Sequence, residues 1–350
     1  MQLAWLKREM RPCYPRGGPL VLAVSFLLAS ASLAQNTDTR IAFMSNRSGN
    51  GEIYLMNPDG KRVRRLTKHP QYDAVPAWSP DGRKITFMSF RDKDRFPESG
   101  GEIYLMNPDG TNLINLTQSP ERSEGVSSWS PTGKQIAFNA FGIFNKGGSY
   151  QGDIWVMEAD GGNPRNLTNH HATDRQPDWS PDGLQIAFTS YRDRAWEFEA
   201  WDNWDIYVMN ADGTHLINLT NHPAGDGSPD WSPNGNQIAF TSGRDGNWEV
   251  YVMNPDGTNP INLTNHPASD GGPDWSPDGQ QIVFVSGRDK KNDNDKNTEI
   301  YVMNADGTNP INLTNHPAID SQPSWGSIQP LNVTPNERLA TLWGKVKRTR

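Results

Sequence analysis

From residue 41 to residue 326 the apolar and polar positions recur in a fixed order. An apolar triplet, I-[ATV]-F, begins at Ile41, Ile85, Ile136, Ile186, Ile238 and Ile282. An apolar quartet, I-[YW]-[LV]-M, follows, with Val250 replacing the first isoleucine in one copy. The quartet runs into N-[PA]-D-G or, once, Glu158-Ala159-Asp160-Gly161. Each unit closes on a short L-T strand such as Leu219-Thr220, and the next opens on P-x-W-S. The tryptophans Trp78, Trp129, Trp179, Trp231, Trp275 and Trp325 are spaced 51, 50, 52, 44 and 50 residues apart. Apolar runs this short, bounded by Gly/Pro/Asn/Asp clusters, predict strands rather than helices. Four such strands in a period of about 40–50 residues predict propeller blades.

The turns agree with this reading. In Ser79-Pro80-Asp81-Gly82, serine suits the first position of a type I turn, proline the second and glycine the fourth; Asn57-Pro58-Asp59-Gly60 repeats the logic. The strand order in a blade is therefore A (P-x-W-S), B (I-A-F), C (I-Y-V-M) and D (I-N-L-T). Tight A–B and C–D turns lie on one face, and the B–C and D–A loops lie on the other. The first copy, Ile41 to Thr67, lacks an A strand, and the last, around Trp325, lacks B, C and D. Joining them gives six complete four-stranded antiparallel blades, an all-β six-bladed β-propeller whose ring is closed by the C-terminal strand.

Composition narrows the class. Glycine and proline together number 59 of 350 residues (32 + 27), too many for a helical bundle. Aromatic residues make up 10%, too many for a disordered chain. The net charge of −7 argues against a nucleic-acid partner held by phosphate contacts. The apolar run Pro19–Ser30 follows Lys7, Arg8, Arg11 and Arg16 and leads into Ser32-Leu33-Ala34. This order reads as a signal peptide over residues 1–34, cleaved after Ala34 or, as the second choice, after Ala31, and its apolar run is too short to span a bilayer. A start at Met10 would give it better proportions. Cys13, the single cysteine, precedes the run, so the mature chain has no disulfide and a charge of 29 − 39 = −10. Residues 35–326 are then the propeller and 327–350 a short basic tail. In that tail Thr334-Pro335-Asn336-Glu337 reads as a helix start, and Leu339, Leu342, Trp343 and Val346 fall on one helical face.

The repeat D-x-x-P-x-W-S-P-D-G-x-x-I-A-F-x-S-x-R-D-G…I-Y-V-M-N-x-D-G…L-T resembles the six-bladed propeller of the TolB family of the periplasmic Tol–Pal system. The resemblance covers residues 41–326 and is confined to the propeller, without the α/β domain that family carries before it. It implies an exported, periplasmic or secreted, monomeric interaction protein without catalytic activity. Its partner, an envelope protein, peptide or glycan, would bind on the B–C/D–A loop face. Similar repeats form the propeller half of prolyl-oligopeptidase-type peptidases; no G-x-S-x-G motif is present, so the second alternative is an orphan propeller half of such a system, with its hydrolase encoded separately.

Two residue sets are candidates for chemistry or binding. Five D–A loops carry a histidine nine positions before the tryptophan, His69, His170, His222, His266 and His316, with Pro120 at that spacing in the remaining full copy. An acid stands five before each tryptophan: Asp73, Glu124, Asp174, Asp226, Asp270 and Asp320. A feature present in nearly every blade is expected to pin the loop. In a resemblance to metal-using propeller lyases, the same set would hold a divalent metal at the channel mouth and serve a lyase or hydrolase. Apart from that, no cofactor is expected. The R-D pairs Arg91-Asp92, Arg192-Asp193, Arg244-Asp245 and Arg288-Asp289 read as loop supports. The second set departs from the repeat: Phe141, Phe144 and Tyr150 in blade three, Trp196, Phe198, Trp201 and Trp204 in blade four, and Trp248 in blade five. Loop aromatics have no blade core to fill, and grouped on one face they offer a binding platform.

Overall fold

The computed structural model describes residues 38–92, 100–119, 121–142, 152–192, 204–290 and 297–328. Within them lie six four-stranded antiparallel sheets arranged as a propeller. Blade one combines the last strand, Asp320–Ile328, with Asp38–Ser45, Glu52–Met56 and Arg64–Arg65. Its closing pair runs antiparallel with Ile41 opposite Trp325 and Ala42 opposite Ser324. The first and last described strands thus share one sheet, and the ring has no open A or B edge. No helix among the described residues is long and apolar enough to cross a membrane.

The I-A-F triplets are buried because each B strand is covered on both faces by neighbouring blades. Phe43, Phe87, Phe138, Phe188, Phe240 and Phe284 are at most 1% exposed. The apolar cores lie between blades rather than within them. Ala187, Ile206 and Val208 of blade four, for example, pack with Trp231, Ile238, Phe240 and Tyr251 of blade five. A single repeat cannot bury its own face, which is why the period matters more than any one unit.

The D strands are shorter than the L-T pattern suggests. Strand pairing is confined to two residues such as Ile217–Asn218, and the L-T pair follows them. The leucine amide still reaches the C strand (Leu219 N to Ile206 O, 2.8 Å), while the threonine turns inward to a separate task described below. Each A strand begins at the acid five residues before its tryptophan in five of the blades, and in most blades carries a bulge before the proline. Val75, Gln176, Ser228 and Gln322 adopt left-handed φ of 51–55° there, and Gly272 takes the same place in blade six.

Candidate functional site

The A strands line a central cavity of about 440 Å³. Asp178, Asp230 and Asp274 stand before the tryptophan in three consecutive blades and face this cavity, where Ala77, Ser128 and Ser324 occupy the other three positions. Each carboxylate accepts the backbone N–H of the next blade's tryptophan: Trp231 to Asp178 at 2.8 Å, Trp275 to Asp230 at 2.7 Å and Trp325 to Asp274 at 2.8 Å. Burial is the main force that raises their pKa values. It pushes Asp178 up to about 6 and, with repulsion from Asp178, Asp274 up to about 8. Asp230, between them, is raised well above the usual range by burial and by both neighbours.

Toward the loop face each blade carries a repeated anchor. The acids five before the tryptophan are fully or almost fully buried and pair with an arginine. Arg91 meets Asp73 at 2.7 Å, Arg192 meets Asp174 at 2.5 Å, Arg288 meets Asp270 at 2.6 Å, and Arg47 meets Asp320 at 2.7 Å. Arg244 divides its bond between both oxygens of Asp226. These arginines also lie over the Phe–Tyr pair of their blade, as Arg91 does over Tyr104 at 4.8 Å. Asp92, Asp245 and Asp289 of the R-D pairs accept the hydroxyls of Tyr104, Tyr251 and Tyr301, and Asp193 lies outside the described residues.

Blade three has no R-D pair. Gly142 stands at the arginine's position, and Arg122 lies directly opposite it in the ladder. Arg122 pairs with Glu124 at 3.2 Å and covers Trp155 at 4.3 Å, so the guanidinium is delivered from the A strand instead.

The histidines serve turns in this structure. Nδ1 of His170, His222, His266 and His316 accepts the backbone N–H two residues on, at 3.1 Å, and His69 does so at 3.2 Å. Their own backbone N–H groups reach a second acid at the head of the C strand, buried in Glu52, Asp205, Glu249 and Glu299 and partly buried in Asp153. The same acids accept the L-T threonine hydroxyl, as Thr67 Oγ1 does to Glu52 at 2.5 Å. In the copy without histidine, Ser119 N donates to Glu102, so Ser119 occupies the histidine's place and counting back from the tryptophan misplaces it by one residue. Pro120 itself lies outside the described residues. Among the described residues, no three His, Cys, Asp or Glu side chains converge as a metal site would require. The C-strand acids were legible as an invariant carboxylate before I-Y-V-M, a signal that reading for aromatics passed over.

The loop-face aromatics are distributed unevenly. Trp196, Phe198, Trp201, Phe144 and Tyr150 lie outside the described residues. Phe141 belongs to the B strand of blade three, Gln135–Gly142, paired with Gly152, and not to a loop. Trp204 and Trp248 occupy equivalent places. Each stands before the C-strand acid, and its carbonyl accepts the next blade's first A-strand amide, Asp226 at 2.7 Å and Asp270 at 2.8 Å. Blades one, two and three carry Gly51, Gly101 and Gly152 there. A Cβ on Gly51 would fall 2.2 Å from the Tyr72 ring, and one on Gly152 would fall 2.5 Å from Phe141. In those blades a neighbouring side chain fills the space; in blades four and five a tryptophan does. Trp248 remains 38% exposed. Trp204 is half-buried, packed against Tyr191, with the Arg175 guanidinium 3.6 Å over its ring.

Two family models match parts of the chain: the TolB beta propeller domain over residues 34–141, and the Tricorn protease N-terminal beta propeller domain over residues 198–296. A Protein TolB homolog of Chlorobium luteolum is 30% identical over 159 residues, covering 44% of this chain and 32% of that protein. This chain therefore spans about a third of that relative's length. The crystal structure of TolB from Acinetobacter baumannii superposes with a TM-score of 0.66 at 22% identity, over 82% of this chain and 66% of that one. An oligogalacturonate lyase in complex with manganese superposes at 0.52 and 16% identity, over 78% of this chain and 73% of that one. At such identities the structural likeness is one of fold, shared by binding proteins and enzymes alike.

Proposed function

Since the chain is a TolB-like six-bladed β-propeller, we propose that it works as an exported, non-catalytic binding protein that holds an envelope protein on its loop face at blades four and five. The observation that carries this reading is the exchange of glycine for tryptophan at one structural position, present at Trp204 and Trp248 and absent in blades one to three. The blades with glycine there form the same four-stranded sheets, so sheet formation does not require the indoles. Aromatic side chains that the sheets do not need, set side by side on adjacent blades, suit a partner surface, where such anchors carry a disproportionate share of the energy. Export is supported by the basic region, apolar run and small residues of 1–34.

The test compares wild type with Trp248→Gly for capture of envelope-fraction proteins by crosslinking, beside melting temperature. Reduced capture at unchanged melting temperature is expected, and unchanged capture overturns the placement of the site. N-terminal sequencing of the mature protein from the native host should begin at Gln35. A mature protein retaining Pro19–Ser30 overturns the export reading.

A further inference from the structure

Arg175 is the second residue of its A strand, opposite Thr189. The equivalent residues in the other blades are Ala74, Gly125, Gly227, Gly271 and Ser321, all small. The long side chain in blade four is therefore not demanded by the propeller. The repeated arginines of the loop face are each paired with a buried acid, whereas Arg175 forms no ion pair among the described residues, and its Nε–H is buried without a hydrogen-bond partner. Its planar group lies over the Trp204 ring, which in turn packs against Tyr191. Burial holds its pKa below the usual arginine value, which still leaves it charged at neutral pH. A stacked, partly buried guanidinium with no carboxylate partner among the described residues is an unfinished interaction: it is already oriented and can still pair with an anion.

We propose that Arg175 is the anchor for a carboxylate of an acidic peptide segment in the partner protein, with the Trp204 indole stacked beneath it. The assignment rests on the loop-face reading above and adds the partner's chemistry to it. Peptide is favoured over acidic sugar because sugar recognition needs an open aromatic face. The Trp204 ring is already covered by Arg175 and packed against Tyr191, leaving its edge for side-chain contacts. The net charge of −7 repels acidic molecules in general, so binding of an acidic probe reports a local site rather than the overall field.

The experiment titrates fluorescein-labelled octaglutamate into the purified protein at low salt and follows anisotropy, with octaglutamine and tetragalacturonate as the other arms. Octaglutamate should bind and octaglutamine should not. Arg175→Ser, which installs the residue of blade one, should weaken octaglutamate at least about tenfold with the melting temperature preserved; Arg175→Gln serves if the serine variant is unstable. Equal binding to the variant, or no binding to wild type, overturns the proposal. Arg175-dependent binding of tetragalacturonate without octaglutamate overturns the peptide assignment. If envelope capture falls with Trp248→Gly but not with Arg175→Ser, the carboxylate assignment is overturned while the loop-face reading stands. If capture falls with neither, both are overturned.

Discussion

The indole Nε1–H of Trp129 donates to Oγ1 of Thr86 across the boundary between blades three and two, at 3.2 Å. It is the exception among the six repeat tryptophans. Nε1 of Trp78, Trp179, Trp231, Trp275 and Trp325 is buried without a partner, because Ala42, Ala137, Ala187, Ala239 and Val283 stand where Thr86 would be. Thr86 also bonds Ser127 Oγ at 2.9 Å. Thr86→Val keeps the volume and removes these two bonds together with the one Thr86 Oγ1 donates to Ala77 O at 3.3 Å. It should cost about 1–2 kcal/mol in a denaturant titration. A variant within 0.3 kcal/mol of wild type, roughly the noise of such measurements, would show that the shared hydroxyl contributes nothing.

Arg122→Ala should be a pH-dependent lesion. Burial, then repulsion from Glu102, pushes Glu124 up to about 7 even with Arg122 beside it. At pH 5 the carboxyl is largely neutral and loses little with its partner. At pH 8 it is charged and stranded, and the cost should reach roughly 2 kcal/mol. Chemical denaturation at the two pH values checks this. An equal cost at both would place the role of Arg122 in its packing over Trp155 alone.

The three channel aspartates set the direction of the stability profile. Their folded pKa values lie above the unfolded value near 3.8, so the folded state binds more protons. Stability should therefore fall as pH rises from about 4 to about 8. Asp274→Ser, the residue of blades one and three, should flatten that slope and raise the melting temperature at pH 8. Ser128 already shows that serine can accept the tryptophan amide there, from Trp179 N at 3.3 Å. Melting temperatures that climb between pH 5 and pH 8 in wild type would refute the assignment.

Removing residues 322–350 deletes most of the strand that pairs with Asp38–Ser45 and should produce an aggregating protein with an exposed edge. Removing residues 334–350 alone is the control and should melt close to wild type. Identical behaviour of the two truncations, by light scattering and thermal melts, would mean that closure is not what holds the ring.

His266→Ala should cost on the order of 1 kcal/mol, the value of the turn bond from Ala268 N to its Nδ1. It should leave the binding of octaglutamate unaffected. A stoichiometric divalent metal that is lost from His222→Ala plus His266→Ala would instead favour the enzyme reading.

The sequence by itself determined the blade count, strand order, turn chemistry and ring closure. These follow from short-range periodicity: Ile41 lies in a B strand and Trp325 in an A strand, and every repeat between them restates the same pattern. Its limits appear where different residues do the same work. Arg122 replaces the missing R-D arginine from the facing strand, and Ser119 replaces a histidine after one inserted residue, because a side chain's task depends on where its end arrives rather than on its place in a motif. The candidate site was only partly legible for the same reason. Trp204 and Trp248 stood out as aromatics beyond the repeat, but Arg175 did not, since an arginine in a strand is unremarkable until its neighbours are known. Only the tertiary structure decided that this guanidinium lies on an indole with no carboxylate partner among the described residues, while the repeated arginines of the loop face are paired, and that three aspartates from separate repeats face one cavity. Pairing and burial are properties of distance, and residues some fifty positions apart acquire that distance only when the ring closes.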